Sequence, residues 1–329
     1  MSSRWASQSR APDSLPGYDE LAVIEKTGAR HAWGVFGPDD ELGTLNFITP
    51  EVVAAATREV VAGEVVNLSL PLDQPDPPLA LGRKPLAHHV RVERWGRDDW
   101  LESFYLQASS QWDSLRHIRY REFGYYGGRD DAALDAGALG IDCIARRGMI
   151  TRGVLVDAAD YLAERGTPLD ARTRFPIGPD LIDNVLGWQR ITLRAGDVLL
   201  LRTGWMAWYF GLDRAGREAL AGSLHDQPAG LDCPGLASGA ATAAWLWDHR
   251  VAAVAADNPA LEVLKVDPHV GFLHRLLIPL LGMPIGEFWD LEALSEACRR
   301  HQRYSFMLTS APLFLRGGVG SPSSAYAVF

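Results

Sequence analysis

The sequence has few cysteines and no pattern that would pair them. Its 329 residues contain only Cys143, Cys233 and Cys298, which are odd in number and widely separated. No Cys-x-x-Cys or other zinc-thiolate spacing is present. Because disulfides accumulate in secreted proteins and are rare in the cytoplasm, this cysteine usage predicts a reduced, cytoplasmic protein.

Long apolar segments and positive charge are also scarce. The longest apolar run, 276–285, contains two prolines and is far shorter than the ~20 residues of a membrane-spanning helix. Residues 1–17 are polar and lack the apolar core of a signal peptide. The net charge of −9 argues against nucleic acid, whose recognition needs a basic face. We therefore expect neither a membrane nor a nucleic-acid partner.

Two common enzyme signatures are missing as well. No Gly-x-Ser-x-Gly motif is present, which argues against a serine hydrolase with a nucleophile elbow. No Gly-x-Gly-x-x-Gly follows a predicted strand, which argues against a dinucleotide-dependent enzyme. The glycine-rich segment 317–320 lacks the Lys-Ser/Thr of a phosphate loop, so it predicts a turn.

What remains is the composition of a globular protein, 47% hydrophobic and 22% charged, that is long enough for one large domain. Thr49, followed by a proline, predicts the start of a helix that ends before Gly63. The segment 196–204, an apolar run bounded by glycines, and the apolar run at 251–256 predict buried strands. Helices and strands alternate loosely, which predicts a mixed α/β or α+β fold. We expect a flexible arm at 1–30 and a single catalytic domain at 31–329.

Polar side chains gather in the segment 107–117, which reads QASSQWDSLRH and follows a strand-like run. In an extended chain, the two-residue period puts Gln107, Gln111 and Asp113 on one face. In a helical chain, four-residue offsets pair Gln107 with Gln111 and Asp113 with His117. Either conformation gathers a carboxylate, an imidazole and two amides, which suits a metal or an acid–base pair. The alternative is a polar strand edge with a solvated histidine.

This segment resembles the signature of the metal-dependent cyclase/hydrolase family that includes bacterial kynurenine formamidase and isatin hydrolase. The signature reads His-x-Gly-Thr-His-x-Asp-x-Pro-x-His, and Asp113 and His117 match it. Gln107 and Gln111 stand where its first two histidines are expected. The resemblance extends, with gaps, from about Trp33 to the C-terminus. It implies the swivelling β/β/α fold of that family, built around a mostly β core.

The resemblance also implies a downstream histidine and glutamate as metal ligands, which map onto His274 and Glu287. Between them, Gly282 and Pro284 force the chain to reverse, so both side chains can face one centre. For His274 taken alone, a structural histidine is the alternative.

The implied metal ligands are Asp113, His274 and Glu287, with Gln111 completing the sphere or orienting bound water. A set rich in oxygen and nitrogen suits zinc or manganese. Because neutral amides are weak ligands compared with imidazole, we expect one divalent metal and not two. His117 matches the proton donor and acceptor of the family.

Gln107 is expected behind the ligands, with its amide hydrogen-bonded to a ligand or to the substrate. Trp112 is expected in a similar place, since the eleven tryptophans suggest a flat aromatic or cyclic substrate, although many will be core. Together these features predict a metal-dependent hydrolase that opens a cyclic amide, a lactone or a related ester, working as a homodimer or homotetramer. The alternative is a metal-free cyclase or binding protein with His117 and Asp113 as acid–base groups.

Overall fold

The computed structural model describes residues 15–80, 82–226, 231–267, 269 and 271–329. The strands within these residues are β1 (Ala22–Ile24), β2 (Ala29–His31), β3 (Val65–Asn67), β4 (Ala87–Val92), β5 (Arg97–Glu102), β6 (Gln111–Asp113), β7 (Met149–Asp157), β8 (Pro176–Ile177), β9 (Val198–Arg202), β10 (Gly235–Leu236), β11 (Ala253–Ala256), β12 (Ile285–Glu287), β13 (Ser305–Ser310), β14 (Gly320–Pro322) and β15 (Ala325–Val328). The α-helices are α1 (Pro50–Ala56), α2 (Asp131–Asp135), α3 (Ile141–Arg147), α4 (Ala158–Glu164), α5 (Pro179–Gln189), α6 (Trp205–Gly211), α7 (Arg214–Asp226), α8 (Ala240–Asp248), α9 (His274–Leu276) and α10 (Glu292–His301).

Nine of these strands form one mixed sheet, in the order β14-β6-β12-β11-β9-β7-β13-β15-β3. The central strands β12, β11, β9 and β7 run parallel to one another. On either side of them the neighbouring strands pair antiparallel. Parallel strands need long crossover connections, and helices α4, α5, α6 and α8 lie in those connections. The mixed α/β fold expected from the sequence is confirmed.

The parallel strands form the centre of the core. Every residue of β9 and of β11 is buried, as is typical of parallel strands with both faces covered. Their continuous apolar runs follow from this two-sided burial, and both strands were expected from the sequence. Polar residues gather where these strands end, since Asp157, Arg202 and Asp257 stand at or just beyond their carboxyl ends.

Helix α1 begins as its sequence predicts. The side chain of Thr49 accepts a hydrogen bond from Val52 N at 3.4 Å, and Pro50 occupies the first turn, where its missing N–H is not needed. The helix ends at Ala56, earlier than the predicted limit before Gly63, because a 3₁₀ turn at Thr57–Glu59 takes over.

The second half of the predicted N-terminal arm is part of the folded body. Strands β1 and β2 form an antiparallel hairpin, and the side chains of Tyr18 and Leu21 are buried in the main core. The guanidinium of Arg250 donates to the carbonyl oxygens of Leu15 and Pro16 at 3.0 and 2.9 Å. Residues 1–14, the first half of that arm, lie outside the described residues.

A proline-rich segment and an exposed hairpin precede the site. Residues 71–85, called the proline segment below, contain no strand in the part that the structure describes, as their prolines predict. Strands β4 and β5 then pair as a separate antiparallel hairpin, and β5 is exposed along its whole length. Among the described helices, none has the length and apolarity needed to cross a bilayer.

Candidate functional site

The short strand β6 carries the first part of the site. Its two-residue side-chain period puts Gln111 and Asp113 on one face of the sheet. The antiparallel neighbour β12 places Glu287 directly opposite Gln111. The amide Nε2 of Gln111 donates to Oε2 of Glu287, so these two side chains, one from each strand, touch on the same face of the sheet. The sheet register therefore joins two predicted ligands that are far apart in the chain.

Trp112 lies on the opposite face of β6, in the core. Its side chain is fully buried and packs edge-on against Trp289, with the ring centroids 4.9 Å apart. Its indole N–H donates to Ser310 Oγ at 2.9 Å. This placement corrects the expectation that Trp112 lies near the ligands or the substrate, because strand alternation turns it away from Gln111 and Asp113.

Gln107 reaches the site by a turn and not along an extended strand. The backbone N–H of Ala108 donates to Tyr105 O at 3.0 Å, so the chain reverses before β6 begins. The side chain of Gln107 then folds back, and its Nε2 donates to Asp113 Oδ1 and lies 3.1 Å from His117 Nδ1. The predicted role of Gln107, an amide that holds site residues, matches these contacts.

Gly320 leaves the space that Gln107 occupies. This residue of β14 pairs with Asp113, next to the folded-back glutamine. A Cβ atom at Gly320 would lie 2.6 Å from Gln107 Cγ and 3.0 Å from Trp112 O, which is closer than atoms pack. The glycine-rich segment 317–320, expected only as a turn, thus ends in a strand residue on which the site geometry depends.

His117 is partly open to solvent. A turn after β6 is closed by a hydrogen bond from His117 N to Ser114 O at 3.0 Å, and it brings the ring back toward Asp113. Nε2 of His117 lies 3.8 Å from Asp113 Oδ2. The His117 side chain keeps 30% of its surface exposed, whereas Asp113 keeps 1%. A substrate can therefore reach the imidazole.

His274 is held from both sides by carboxylates. Its Nε2 lies 3.0 Å from Glu287 Oε1, and its Nδ1 contacts Glu262 Oε1. The ring of Phe272 stacks on it, with centroids 4.2 Å apart and planes 9° from parallel. Burial opposes a charge on this ring, but Glu262 and Glu287 outweigh burial and raise the pKa of His274 to about 10.

Glu262 is a site residue that the sequence did not reveal. Its side chain is fully buried, and its carboxylate also accepts the backbone N–H of Leu273 and, at 3.1 Å, the hydroxyl of Ser238. It fixes the orientation of the His274 ring from behind. Glu262 lies in a loop twelve residues before His274, and no periodicity or motif there distinguishes it from a surface glutamate.

Three acidic side chains lie around the ring of His274. Burial raises the pKa of Asp113, and Glu287 adds to the rise while His117 acts against it. Glu262, Asp113 and Glu287 thus crowd three carboxylates around one imidazolium. A group of this kind attracts a cation, either a proton or a metal ion.

The donor atoms converge on one point. Asp113, His117 and His274 each offer a ligand atom, and these atoms lie within 4.8 Å of one another. The carbonyl oxygen Oε1 of Gln111 is buried and has no hydrogen-bond partner among the described residues. Carboxylate, imidazole and amide oxygen together fit a hard or borderline divalent cation. The predicted ligands Gln111, Asp113, His274 and Glu287 lie next to one another, but the cluster of converging donor atoms contains His117 and not Glu287.

Arg83 is a second site residue that the sequence did not reveal. It lies on the proline segment, and its Nη1 donates to the backbone oxygen of Gln107. Burial lowers the pKa of Arg83, while the charges of Glu287 and Asp113 act in the opposite direction. Its guanidinium is therefore close enough to Glu287 and Asp113 for their charges to act on it.

Comparisons with known proteins show the family to which the chain belongs. The family described as Putative cyclase matches residues 66–263. A solved structure described as a novel cyclase is 33% identical, over 91% of this chain and 99% of that chain, with a TM-score of 0.79. Isatin hydrolase A from Ralstonia solanacearum is 18% identical, over 84% of this chain and 95% of that one, with a TM-score of 0.59. An isatin hydrolase bound to the product analogue thioisatinate is 18% identical, over 83% and 94%, with a TM-score of 0.56. No curated protein matches the chain.

Proposed function

The chain belongs to the cyclase family, and on that premise we propose that it is a metal-dependent hydrolase. Its substrate class is a small aromatic or cyclic molecule with a cyclic amide, a lactone or a related ester. The observation that carries this proposal is the convergence of Asp113, His117 and His274 within 4.8 Å. The fold likeness to isatin hydrolases, which act on a cyclic amide by name, is consistent with it.

The donor set is suited to one divalent metal, zinc or manganese. Asp113, His274 and Glu287 would hold it, and Gln111 Oε1 is the buried acceptor that would complete the set. Such a metal supplies Lewis-acid polarisation of a carbonyl and a bound water whose pKa is lowered toward neutrality. Glu262 supports this arrangement, since it fixes His274 through Nδ1 and leaves Nε2 directed at the centre.

His117 is the residue that moves protons. Gln107 engages its Nδ1, so proton exchange with the substrate takes place at Nε2, which faces Asp113. Imidazole is the commonest general acid–base group, and a positioned group of this kind contributes about 10²–10⁴-fold to a rate. The partly exposed ring can accept a proton from attacking water and return it to the leaving nitrogen or oxygen.

A metal-free cyclase or ring-binding protein is the second candidate, and a specific observation favours it. Gln107 already links Asp113 and His117 into one hydrogen-bonded unit, which needs no metal for its cohesion. His274 is likewise held by Glu262 and Glu287 alone. Because glutamines replace two imidazoles of the family signature, Asp113 and His117 in this case act as a plain acid–base pair.

Chelation separates the two candidates. Protein dialysed against a chelator should lose hydrolysis of dihydrocoumarin, a cyclic ester, and of isatin, a cyclic amide. Added zinc or manganese should restore it. Circular dichroism must show that the stripped protein stays folded, so that lost turnover reports the metal. Unchanged turnover in folded, metal-free protein would overturn the hydrolase proposal and leave the metal-free candidate.

A further inference from the structure

The proline segment is tied to the body of the protein on two sides. Asp76 accepts the hydroxyl of Tyr209 on its backbone oxygen at 3.2 Å and the guanidinium of Arg214 on its carboxylate at 3.0 Å. At the start of the segment, the hydroxyl of Ser109 donates to Pro71 O at 3.0 Å. These contacts give the segment a defined position over the site, so the direction of Arg83 follows from packing.

Arg83 has unused hydrogen-bonding capacity at that position. A guanidinium carries five N–H donors, and the side-chain hydrogen bond of Arg83 within the described residues goes to Gln107 O. No carboxylate oxygen in that part of the chain lies within 4.0 Å of it. Arg83 is partly buried, and the carboxylates of Glu287 and Asp113 act on it only from beyond ion-pair distance. Partly burying a cation without a close ion-pair partner is costly, which indicates that a negatively charged oxygen of another molecule completes the arrangement.

The reaction supplies such an oxygen. In ring opening, a water oxygen bonds to the carbonyl carbon and the ring C–N or C–O bond breaks. The ring heteroatom leaves with the electron pair and takes one water proton through His117, and the other proton goes to solvent when the acid ionises. One oxygen of the product carboxylate is the former carbonyl oxygen, on which negative charge develops during attack.

We propose that Arg83 is a catalytic residue that binds this carbonyl oxygen and then holds it as part of the product carboxylate. The proposal rests on the hydrolase function proposed above and adds the group that receives the developing charge. Asp113 and Glu287 repel a negative oxygen, so the charge must be received from the Arg83 side or by a bound cation. A planar guanidinium matches a carboxylate with two parallel hydrogen bonds, which lysine does not reproduce.

The first test measures carboxylate binding, which does not depend on turnover. The probe is 3-(2-hydroxyphenyl)propanoate, the ring-opened product of dihydrocoumarin, and its neutral amide is the comparison ligand. By calorimetry, Arg83→Met should weaken binding of the carboxylate about 10–100-fold, the range of a hydrogen bond to a charged group. It should leave binding of the neutral amide unchanged, and Arg83→Lys should fall in between.

Arg214→Met is the matched control. The exposed pair between Arg214 and Asp76 is one of three contacts that hold the segment. Its loss leaves the hydrogen bonds from Tyr209 and Ser109 in place, so Arg83 keeps its position while one arginine contact is removed. Wild-type-like carboxylate binding in Arg214→Met supports a direct role for Arg83. Equal losses in Arg214→Met and Arg83→Met, or no loss in Arg83→Met, would overturn the proposal and leave Arg83 as a structural residue. Arg83→Lys keeps the test decisive if Arg83→Met does not fold.

Kinetics provide the second test. Arg83→Met should lower kcat for dihydrocoumarin about 10²–10³-fold, with a smaller change in KM, and added methylguanidine should restore part of it. A purely structural role predicts no such rescue. If wild-type protein hydrolyses neither dihydrocoumarin nor isatin, the proposed function fails on these probes, whereas calorimetry still decides the role of Arg83.

Discussion

Two clusters of buried charged side chains lie on the same sheet and differ in how fully their hydrogen bonds are satisfied. In one, Arg202 donates to Asp157 at 2.8 Å, to Asp160 at 3.0 Å and twice to Glu292 at 2.9 and 2.7 Å. Burial opposes the charge of Arg202, but Glu292 and Asp157 hold its pKa above the ordinary value. The hydroxyl of Ser295 fills a further acceptor position on Asp157 at 2.5 Å.

The site cluster also combines buried carboxylates with a cationic side chain but is left incomplete. Three carboxylates surround His274, Oε1 of Gln111 has no partner among the described residues, and His117 remains partly exposed. In the first cluster the donors and acceptors match, so it holds strands and helices together. The comparison teaches that burial of charge does not mark a functional site, whereas a buried acceptor without a partner beside a partly exposed imidazole does.

The largest effect that the comparison predicts is on turnover. Changing His117 to Ala should lower kcat about 10²–10⁴-fold, because the proton-transfer group is lost. Bound metal and thermal stability should stay near wild type, since the ring is partly exposed. Ser295→Ala in the other cluster is the control and should keep full turnover. Loss of metal together with activity would reassign His117 to the ligands.

Mutations in the cluster around Arg202 should lower the stability of the protein and leave turnover unchanged. Changing Arg202 to Met should reduce the free energy of unfolding by about 3–5 kcal/mol, since Asp157 is left buried without its partner. Denaturant unfolding measures this loss. Arg172→Met, which breaks an exposed ion pair with Asp170, should leave stability nearly unchanged. An Arg202 variant that is as stable as the Arg172 variant would remove the contrast between the clusters.

Metal affinity should depend on the carboxylate behind His274. Changing Glu262 to Gln should weaken metal binding about 10–100-fold, because the His274 ring loses the charged partner on Nδ1. Competition with a chelator of known affinity measures the change. Glu292→Gln, the matched change in the cluster around Arg202, should leave metal affinity unchanged. Unaltered affinity in the Glu262 variant would contradict the orienting role.

A smaller effect is expected where the backbone approaches the site. Changing Gly320 to Ala should cost about 1–3 kcal/mol, as is usual for overpacking, and should lower turnover because Gln107 is displaced. Gly187→Ala in α5 is the control, since a Cβ atom there meets nothing within 4 Å. It should stabilise the protein by about 0.5–1 kcal/mol. Normal turnover in the Gly320 variant would show that Gln107 can move without consequence.

The sequence predicted those parts of the fold and site that depend on local patterns. The buried strands followed from apolar runs, and the start of α1 followed from Thr49 and Pro50. Asp113 and His117 were found because one motif contains both. His274 and Glu287 were found through the family signature, and the register between β6 and β12 supplies the physical reason that Glu287 meets Gln111.

The remaining site residues depend on tertiary neighbours that no local pattern reveals. Arg83 reaches the site because the proline segment is anchored through Asp76, and Glu262 does so because its loop folds beneath His274. The importance of Gly320 arises from pairing with a strand about two hundred residues earlier in the chain. Trp112 was misplaced because its expected position came from the number of tryptophans, although the two-residue period that placed Gln111 and Asp113 on one face puts Trp112 on the other.

Metal counting on purified, active protein tests the central claim most directly. We predict about one equivalent of zinc or manganese per chain, held by Asp113, His274 and Glu287, as expected for a catalytic site with an open position. Gln107 and Gln111 replace the imidazoles that a second metal would need, and Gln111→Ala should lower both metal content and turnover. Two tightly bound equivalents, or full activity in Gln111→Ala, would contradict this account of the site.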